Sequence, residues 1–307
     1  MRVFVTGATG FIGSTIVDEL IHAGHKVLGL SRSDAGAKAL AAAGAEVQRG
    51  DLADLGGLQS AAAASDGVIH LAFNHDFFSP TATDGFASFT ASCEADRRAI
   101  EAMGDALAGS NRPFIVTGGT AAPTEDEPAA SGPNRPPRVS EQTALAFVPR
   151  GVRAMVMRLP QVHDREKHGL VTWLISLARD KKVSAYVGEG KNRWPAVHLR
   201  DVAPLYRLAL EQGTAGARYH AVAEEGVTAR DIAEAIGRGF KIPVVSKHPE
   251  EAAAHFGWMA FFAGVDMPAS SLLTQQRLGW HPTEKTTMIE DIDNATAFAA
   301  VAAQSGR

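Results

Sequence analysis

The chain has 307 residues, 45% hydrophobic and 21% charged, with a formal net charge of −4. That length can bury a large core as one two-lobed unit or two domains, and the mild negative charge gives no reason to expect nucleic acid or an anionic membrane as partner. The single cysteine, Cys93, excludes an internal disulfide, nothing is long and apolar enough to span a bilayer, and the start does not read as a signal peptide, so a reducing cytoplasm is the expected setting.

Strand and helix patterns alternate through the first half. Val3-Phe-Val5 reads as a strand, Ser14 to Ile21 as an amphipathic helix, and residues 26–30 as a second strand. An Ala-rich helix (35–43), a strand (45–48), a helix (54–64), a strand (67–72), a long helix (85–107) and a fifth strand (113–117) follow. Residues 121–139 break the rhythm as a proline-rich loop carrying Glu125-Asp-Glu127, long enough to be functional or mobile. A helix (140–148) and a sixth strand (153–157) come next, and the pattern then loosens into a smaller helical lobe. Alternation of this kind implies right-handed βαβ crossovers and a doubly wound parallel sheet of the Rossmann α/β class. The expected organisation is a dinucleotide-binding domain over 1–160, with a helix (201–210) and a strand (218–222) returning to it within 198–223. The smaller, mainly C-terminal substrate-binding lobe takes 161–197 and 224–307.

Between the first strand and helix stands Thr6-Gly7-Ala-Thr9-Gly10-Phe11-Ile12-Gly13. Gly7 suits a tight turn, Gly10 lets backbone approach a pyrophosphate, and Gly13 lets helix and strand pack closely, so that helix N–H groups and dipole face the phosphates. Thr9, Phe11 and Ile12 belong to the same turn. The second strand ends in Ser31-Arg32-Ser33, with no acid to take a ribose 2′-hydroxyl. An arginine between hydroxyls suits a 2′-phosphate instead, so NADP(H) is favoured over NAD(H). Asp51-Leu52 is placed either against the adenine or, for Asp51, at a helix N-cap. Leu71, Ala72 and Phe73, leaving the fourth strand, complete the expected cofactor wall.

Together with Gly50-Asp51-Leu52 and Val68-Ile-His-Leu-Ala72, the glycine run resembles the extended short-chain dehydrogenase/reductases, the NAD(P)-dependent epimerase/dehydratase-like proteins. Arg158-Leu-Pro-Gln-Val-His163 is similar to that family's R-P-x-N-V-Y run, Val197-His198-Leu-Arg-Asp201-Val-Ala203 to its V-H-V-x-D-V-A segment, and Leu278-Gly-Trp-His-Pro282 to its closing L-G-W-x-P. The resemblance implies a nicotinamide cofactor, a small-molecule substrate and a homodimer formed through the helices near 85–107 and 140–148. It also implies a Tyr-x-x-x-Lys pair, which is missing. None of the three tyrosines, Tyr186, Tyr206 and Tyr219, has a lysine four residues later. Alignment through Glu141 and Gly151 puts Pro133 and Pro137 where the pair would stand, and Thr117-Gly-Gly-Thr120 is what remains of the upstream hydroxyl stretch.

Ligands in open α/β sheets lie outside the carboxyl ends of the strands. The polar residues there are Asn74-His75-Asp76 after the fourth strand, Thr117 and Thr120 after the fifth, and Gln161 and His163 after the sixth. Histidine suits proton transfer near neutrality, which makes His75 and then His163 the candidate acids, with Thr117 or Thr120 bonding the substrate oxygen. His70, mid-strand, is expected to pack. Asn74, Asp76, Gln161, Trp194, His198 and Phe261 are the expected substrate contacts, although Phe256 to Phe262 suits buried core or a dimer contact equally. Asp201 is open between a place where the lobes meet and an N-cap. Eleven scattered histidines with no H-x-x-x-H or cysteine partner make a metal site improbable. These features read as an NADP(H)-dependent oxidoreductase with a non-standard proton donor. The alternatives are a non-catalytic NADP(H) sensor or regulator and a sugar-type epimerase/dehydratase.

Overall fold

Alternation along the first strand sets the layering. Val3 and Val5 point to one face of the sheet and Phe4 to the other, all three with no exposed surface, and burying each contributes about 1.5–3 kcal/mol. The computed structural model describes residues 1–75, 85–120, 122–129 and 138–299. In chain order it begins β1 (Arg2–Thr6), α1 (Phe11–His22), β2 (Lys26–Ser31), α2 (Asp34–Ala42), β3 (Glu46–Arg49), α3 (Leu55–Ala63), β4 (Gly67–His70), α4 (Gly85–Leu107) and β5 (Pro113–Gly119). There follow α5 (Ser140–Leu145), β6 (Arg153–Leu159), β7 (Gln161–His163), α6 (Val171–Lys181), β8 (Ser184–Val187), β9 (Arg193–His198), α7 (Leu199–Gln212) and β10 (Arg218–His220). The chain continues through β11 (Glu224–Thr228), α8 (Ala229–Phe240), β12 (Val244–Lys247), α9 (Ala252–Phe256), α10 (Ala260–Ala263), α11 (Leu272–Leu278) and α12 (Met288–Asp293).

Seven strands form one sheet in the order β10-β6-β5-β4-β1-β2-β3, and every pairing in it is parallel. This is the doubly wound arrangement expected from the alternation. The order reverses between β1 and β4, so the ligand crevice opens beyond their carboxyl ends. There the register sets Thr6 beside His70. Val3 and Val5 pack with Ile16 and Leu20 of α1 and Leu205 and Tyr206 of α7. Phe4 packs with Leu58 of α3 and Ile100 and Met103 of α4.

The rest of the chain is not the helical lobe that its loose pattern suggests. It holds a three-stranded sheet, β11-β9-β7, and a two-stranded parallel sheet, β12-β8. These strands have three to six residues, too short to show a period, and they pair with distant partners. A separate core joins Trp194, Ile232, Phe240 and Phe298, with the last two rings edge-on at 4.6 Å. No helix among the described residues is long and apolar enough to cross a membrane.

Candidate active site

The β1–α1 turn is shaped for close approach. Gly7 has φ +69°, and a Cβ there would lie 2.8 Å from the Ala72 nitrogen, so the turn rests directly on the chain leaving β4. A Cβ on Gly13 would collide with the Gly7 carbonyl oxygen. Gly10 is the N-cap of α1, with no side-chain cap and no acid in the first turn. Among the described residues, the N–H groups of Phe11, Ile12 and Gly13 therefore have no acceptor, since the first helical bond runs from Ser14 to the Gly10 carbonyl. By contrast, α2 and α3 are capped by Ser33 and Asp54. A side-chain-free cradle at an uncapped helix start fits a dinucleotide pyrophosphate. Thr9 is exposed beside it, and Phe11 and Ile12 are half-buried.

At the end of β2, Arg32 is exposed, but its flanking hydroxyls are engaged. Ser31 is buried and donates to the Ser33 carbonyl at 3.0 Å, while Ser33 accepts from Gly36 N–H at 3.1 Å. Asp34, the next acid along the chain, pairs with Arg49 from the end of β3 at 2.8 Å, and Arg49 also donates to the Ser33 carbonyl. Two guanidinium groups thus border this corner, and Arg49 was not singled out in the sequence. Its signal was a cation ending the neighbouring strand. Asp51 is exposed and accepts from Ala53 N–H at 2.8 Å. Asp54, not Asp51, caps α3, because only Asp54 stands immediately before the first helical residue. Leu52 packs against the α3–α4 core.

A polar network lies under the carboxyl ends of β4 and β5. Thr6 Oγ1 accepts from Leu71 and Ala72 N–H, both at 3.2 Å, which leaves its own proton for His70 Nδ1 at 2.7 Å. His70 Nε2 then donates to Asp96 Oδ1 at 3.2 Å. Asp96 Oδ2 accepts from Ser140 Oγ and lies 3.8 Å from Arg138 Nε. Arg138 donates to Ser140 Oγ at 2.7 Å and to the Thr117 carbonyl at 2.9 Å, and its guanidinium stacks 4.1 Å from the centre of the Phe73 ring. Thr117 Oγ1 is 2.7 Å from the hydroxyl of Tyr206. Burial pushes the Asp96 carboxyl up, but the His70 hydrogen bond, the Arg138 charge and the Ser140 hydroxyl outweigh it and hold the group below the usual carboxylate range. Burial raises the Tyr206 phenol well above its ordinary value, more than the Thr117 bond and Arg138 lower it, so Tyr206 is unsuited to act as a base. His70 is therefore part of a relay rather than a packing residue. The sequence signal missed was Asp96, which shares a buried helical stripe with Cys93, Ile100, Met103 and Leu107.

The model for the family described as NAD dependent epimerase/dehydratase matches residues 3–223, most of the chain. The chain belongs to this epimerase/dehydratase family. Membership makes it a nicotinamide-dinucleotide enzyme with the fold described above. It is 48% identical over 297 residues to an uncharacterized protein of Schizosaccharomyces pombe, covering 94% of this chain and 98% of that one. It is 29% identical over 242 residues to the sterol-4-alpha-carboxylate 3-dehydrogenase, decarboxylating, of Dictyostelium discoideum, covering 75% and 73%. Among solved structures it is similar in fold to a dTDP-glucose 4,6-dehydratase of Streptomyces venezuelae holding NAD, with TM-score 0.73, 19% identity and coverage of 98% and 97%.

Measured against the family pattern, the candidate residues divide. Leu71 to His75, Thr117 and Thr120 gather at the strand ends beside the glycine turn. Asn74 is half-buried and His75 exposed, with the Phe73 and His75 rings edge-on at 5.4 Å. Asp76, Pro133 and Pro137 lie outside the described residues. His163 is not at this cleft surface. It is buried in β7 with Nδ1 2.7 Å from Asp291 Oδ2 and its ring edge-on to His198 at 5.5 Å. Such a clamped, buried imidazole holds elements together and is not placed to donate a proton in the crevice. His198 is the N-cap of α7, accepting from Arg200 N–H at 3.2 Å. Asp201 caps nothing; it accepts from Thr283 and Glu284 N–H and so ties α7 to the segment after α11. Trp194 is core, donating to the Val265 carbonyl at 3.3 Å, and Gln161 is buried and accepts from Leu170 N–H at 2.7 Å. Neither is a substrate contact. Phe261 on α10 is 46% exposed.

The described part of the proline-rich loop is anchored. Arg158, fully buried and bidentate to Glu141 at 2.9 Å, also donates to the carbonyls of Thr124 and Glu127. Glu125, also buried, accepts from the N–H and hydroxyl of Thr274, both at 2.7 Å. Residues 122–129 are thus stapled to β6 and α11. Among the described residues no group of three or more His, Cys, Asp or Glu is arranged to hold a metal ion.

Proposed function

We propose that the protein is an NADP(H)-dependent oxidoreductase that transfers hydride to or from a small carbonyl or alcohol substrate, with a proton donor other than the family tyrosine. The observation that carries the cofactor preference is the corner after β2. Arg32 is exposed there, and Asp34, two residues on, is paired with Arg49. A 2′-phosphate meets two guanidinium groups at this corner, and β2 ends in no acid of its own to take a 2′-hydroxyl. When bound, the cofactor supplies or accepts the hydride. The chain's own residues provide the rest: the α1 N-terminus takes the pyrophosphate, Thr117 orients the substrate oxygen, and exposed His75 carries the proton. The Dictyostelium relative, named as a dehydrogenase, supports redox chemistry over simple binding.

The test is calorimetric titration with NADPH and NADH, followed by a carbonyl panel monitored through NADPH absorbance. Tighter NADPH binding with turnover is expected. A second reading, a non-catalytic NADP(H) sensor, is favoured by one observation, the absence of any Tyr-x-x-x-Lys pair. Tight NADPH binding with no turnover across the panel would select it, and equal or tighter NADH binding would overturn the cofactor assignment.

A further inference from the structure

We propose that Arg138 is the electrostatic catalyst of this site, its guanidinium holding the substrate oxygen as negative charge develops on it. The inference rests on the oxidoreductase reading above. The guanidinium is pinned by Ser140 Oγ at 2.7 Å and the Thr117 carbonyl at 2.9 Å, and supported from below by the Phe73 ring. Those contacts use Nε and one N–H of Nη2. Among the described residues, the two N–H groups of Nη1 and the second of Nη2 have no acceptor, and the side chain is 26% exposed. A rigid fork of donors with a free edge suits an oxyanion.

Its position matches that task. Phe73 leaves β4 at the point where the strand order reverses, and Thr117 lies at the end of β5, so the fork borders the crevice where a ligand sits. The fold also commits a fully buried carboxylate, Asp96, to this one region. Asp96 faces His70, Ser140 and Arg138 at once, and such a group fixes Arg138 before substrate arrives, which is what electrostatic preorganisation requires. A surface arginine with only a structural task needs no interior anchor of this kind.

The step balances without asking the arginine for a proton, which a guanidinium does not release. As hydride adds to the carbonyl carbon, a C–H bond forms and the C=O π pair moves onto oxygen. The substrate gains two electrons, which the reduced nicotinamide loses. Arg138 holds the resulting alkoxide until a proton arrives from His75 or water.

The test compares wild type with Arg138→Gln and Arg138→Met for melting temperature, NADPH affinity and kcat on the best carbonyl of the panel, with and without added guanidinium. Arg138→Gln keeps a donor for the Thr117 carbonyl and removes the charge, so it remains informative if the Met variant fails to fold. The expected result is a kcat loss of about 100-fold, NADPH affinity within about threefold of wild type, and partial recovery with guanidinium. Unchanged kcat in Arg138→Gln overturns the inference, as does a loss that guanidinium cannot restore. A wild type that binds NADPH but turns over nothing removes the oxidoreductase reading itself, and this inference with it.

Discussion

Asp96 on α4 and His70 at the end of β4 meet in the interior, Oδ1 to Nε2 at 3.2 Å, with each side chain 1% exposed. The pair joins the helix that covers one face of the sheet to the strand end that borders the crevice. It also fixes the direction of a relay. Because Thr6 Oγ1 already accepts two backbone N–H groups, its proton goes to Nδ1 and the imidazole proton goes to Asp96. Packing and site geometry are therefore coupled at one carboxylate.

Removing that carboxylate is expected to be costly. Asp96→Ala leaves His70 and Ser140 without their acceptor and Arg138 without its counter-charge, and breaking a buried pair in this way costs about 3–5 kcal/mol. The pH dependence has a defined sign. The folded Asp96 carboxyl lies below its ordinary value, because His70, Arg138 and Ser140 outweigh its burial. Its contribution is present above the unfolded pKa of about 3.9 and is lost as pH falls through the lower folded value. Urea unfolding between pH 6 and pH 3 is expected to show a steeper loss in wild type than in Asp96→Asn. Parallel slopes would refute the assignment.

Gly13 offers a second check, on the cradle. A methyl there meets the Gly7 carbonyl oxygen, a backbone atom that cannot swing aside. Gly13→Ala is expected to lose about 1–3 kcal/mol through overpacking and to weaken NADPH binding at least tenfold by displacing the turn. Gly24→Ala is the control for glycine loss alone: φ there is +85°, but nothing lies within 4 Å of its would-be Cβ. It is expected to cost stability through backbone strain while leaving NADPH affinity in place. Equal affinities in both variants would argue against the cradle.

The doubly wound sheet was legible in the sequence because each of its βα units announces itself locally. Apolar runs alternate with helical stripes, and the long helix is read at its observed limits, Gly85–Leu107. The second lobe was not legible in this way, since β7 and β8 are too short for a period to appear and their partners are far along the chain. The site divides along the same line. Gly7, Gly10 and Gly13 form a contiguous motif, whereas Arg138 becomes conspicuous only when α4, β5 and α5 bring Asp96, Thr117 and Ser140 around it. His163 looked available as an acid because its clamp, Asp291, lies 128 residues away.

The corner after β2 predicts a change in cofactor discrimination. Charge-assisted hydrogen bonds contribute about 1.5–3 kcal/mol each, so Arg32→Ala is expected to weaken NADPH binding by roughly 10- to 100-fold and leave NADH binding nearly unchanged. Arg49→Ala removes a cation and also frees Asp34, a carboxylate able to accept from a ribose hydroxyl. It is expected to lower the NADPH/NADH affinity ratio from both sides. A ratio unchanged in both variants would place the discrimination elsewhere.

His75 and His163 separate chemistry from architecture. His75 is exposed in the segment that follows β4, where an imidazole can reach substrate and solvent. His75→Ala is expected to keep the wild-type melting temperature and NADPH affinity while kcat falls by about 100-fold, within the usual range for general acid catalysis. His163 behaves oppositely. With Asp291 at 2.7 Å and the His198 ring edge-on at 5.5 Å, His163→Ala leaves a buried carboxylate short of a donor, an omission that costs about 1–3 kcal/mol or more for a charged group. That variant is expected to melt several degrees lower, while the protein that remains folded keeps the wild-type kcat. A His75→Ala variant with full turnover would move the proton transfer to water. The Thr117 hydroxyl and the Arg138 fork would then be the chain's contribution at the substrate oxygen.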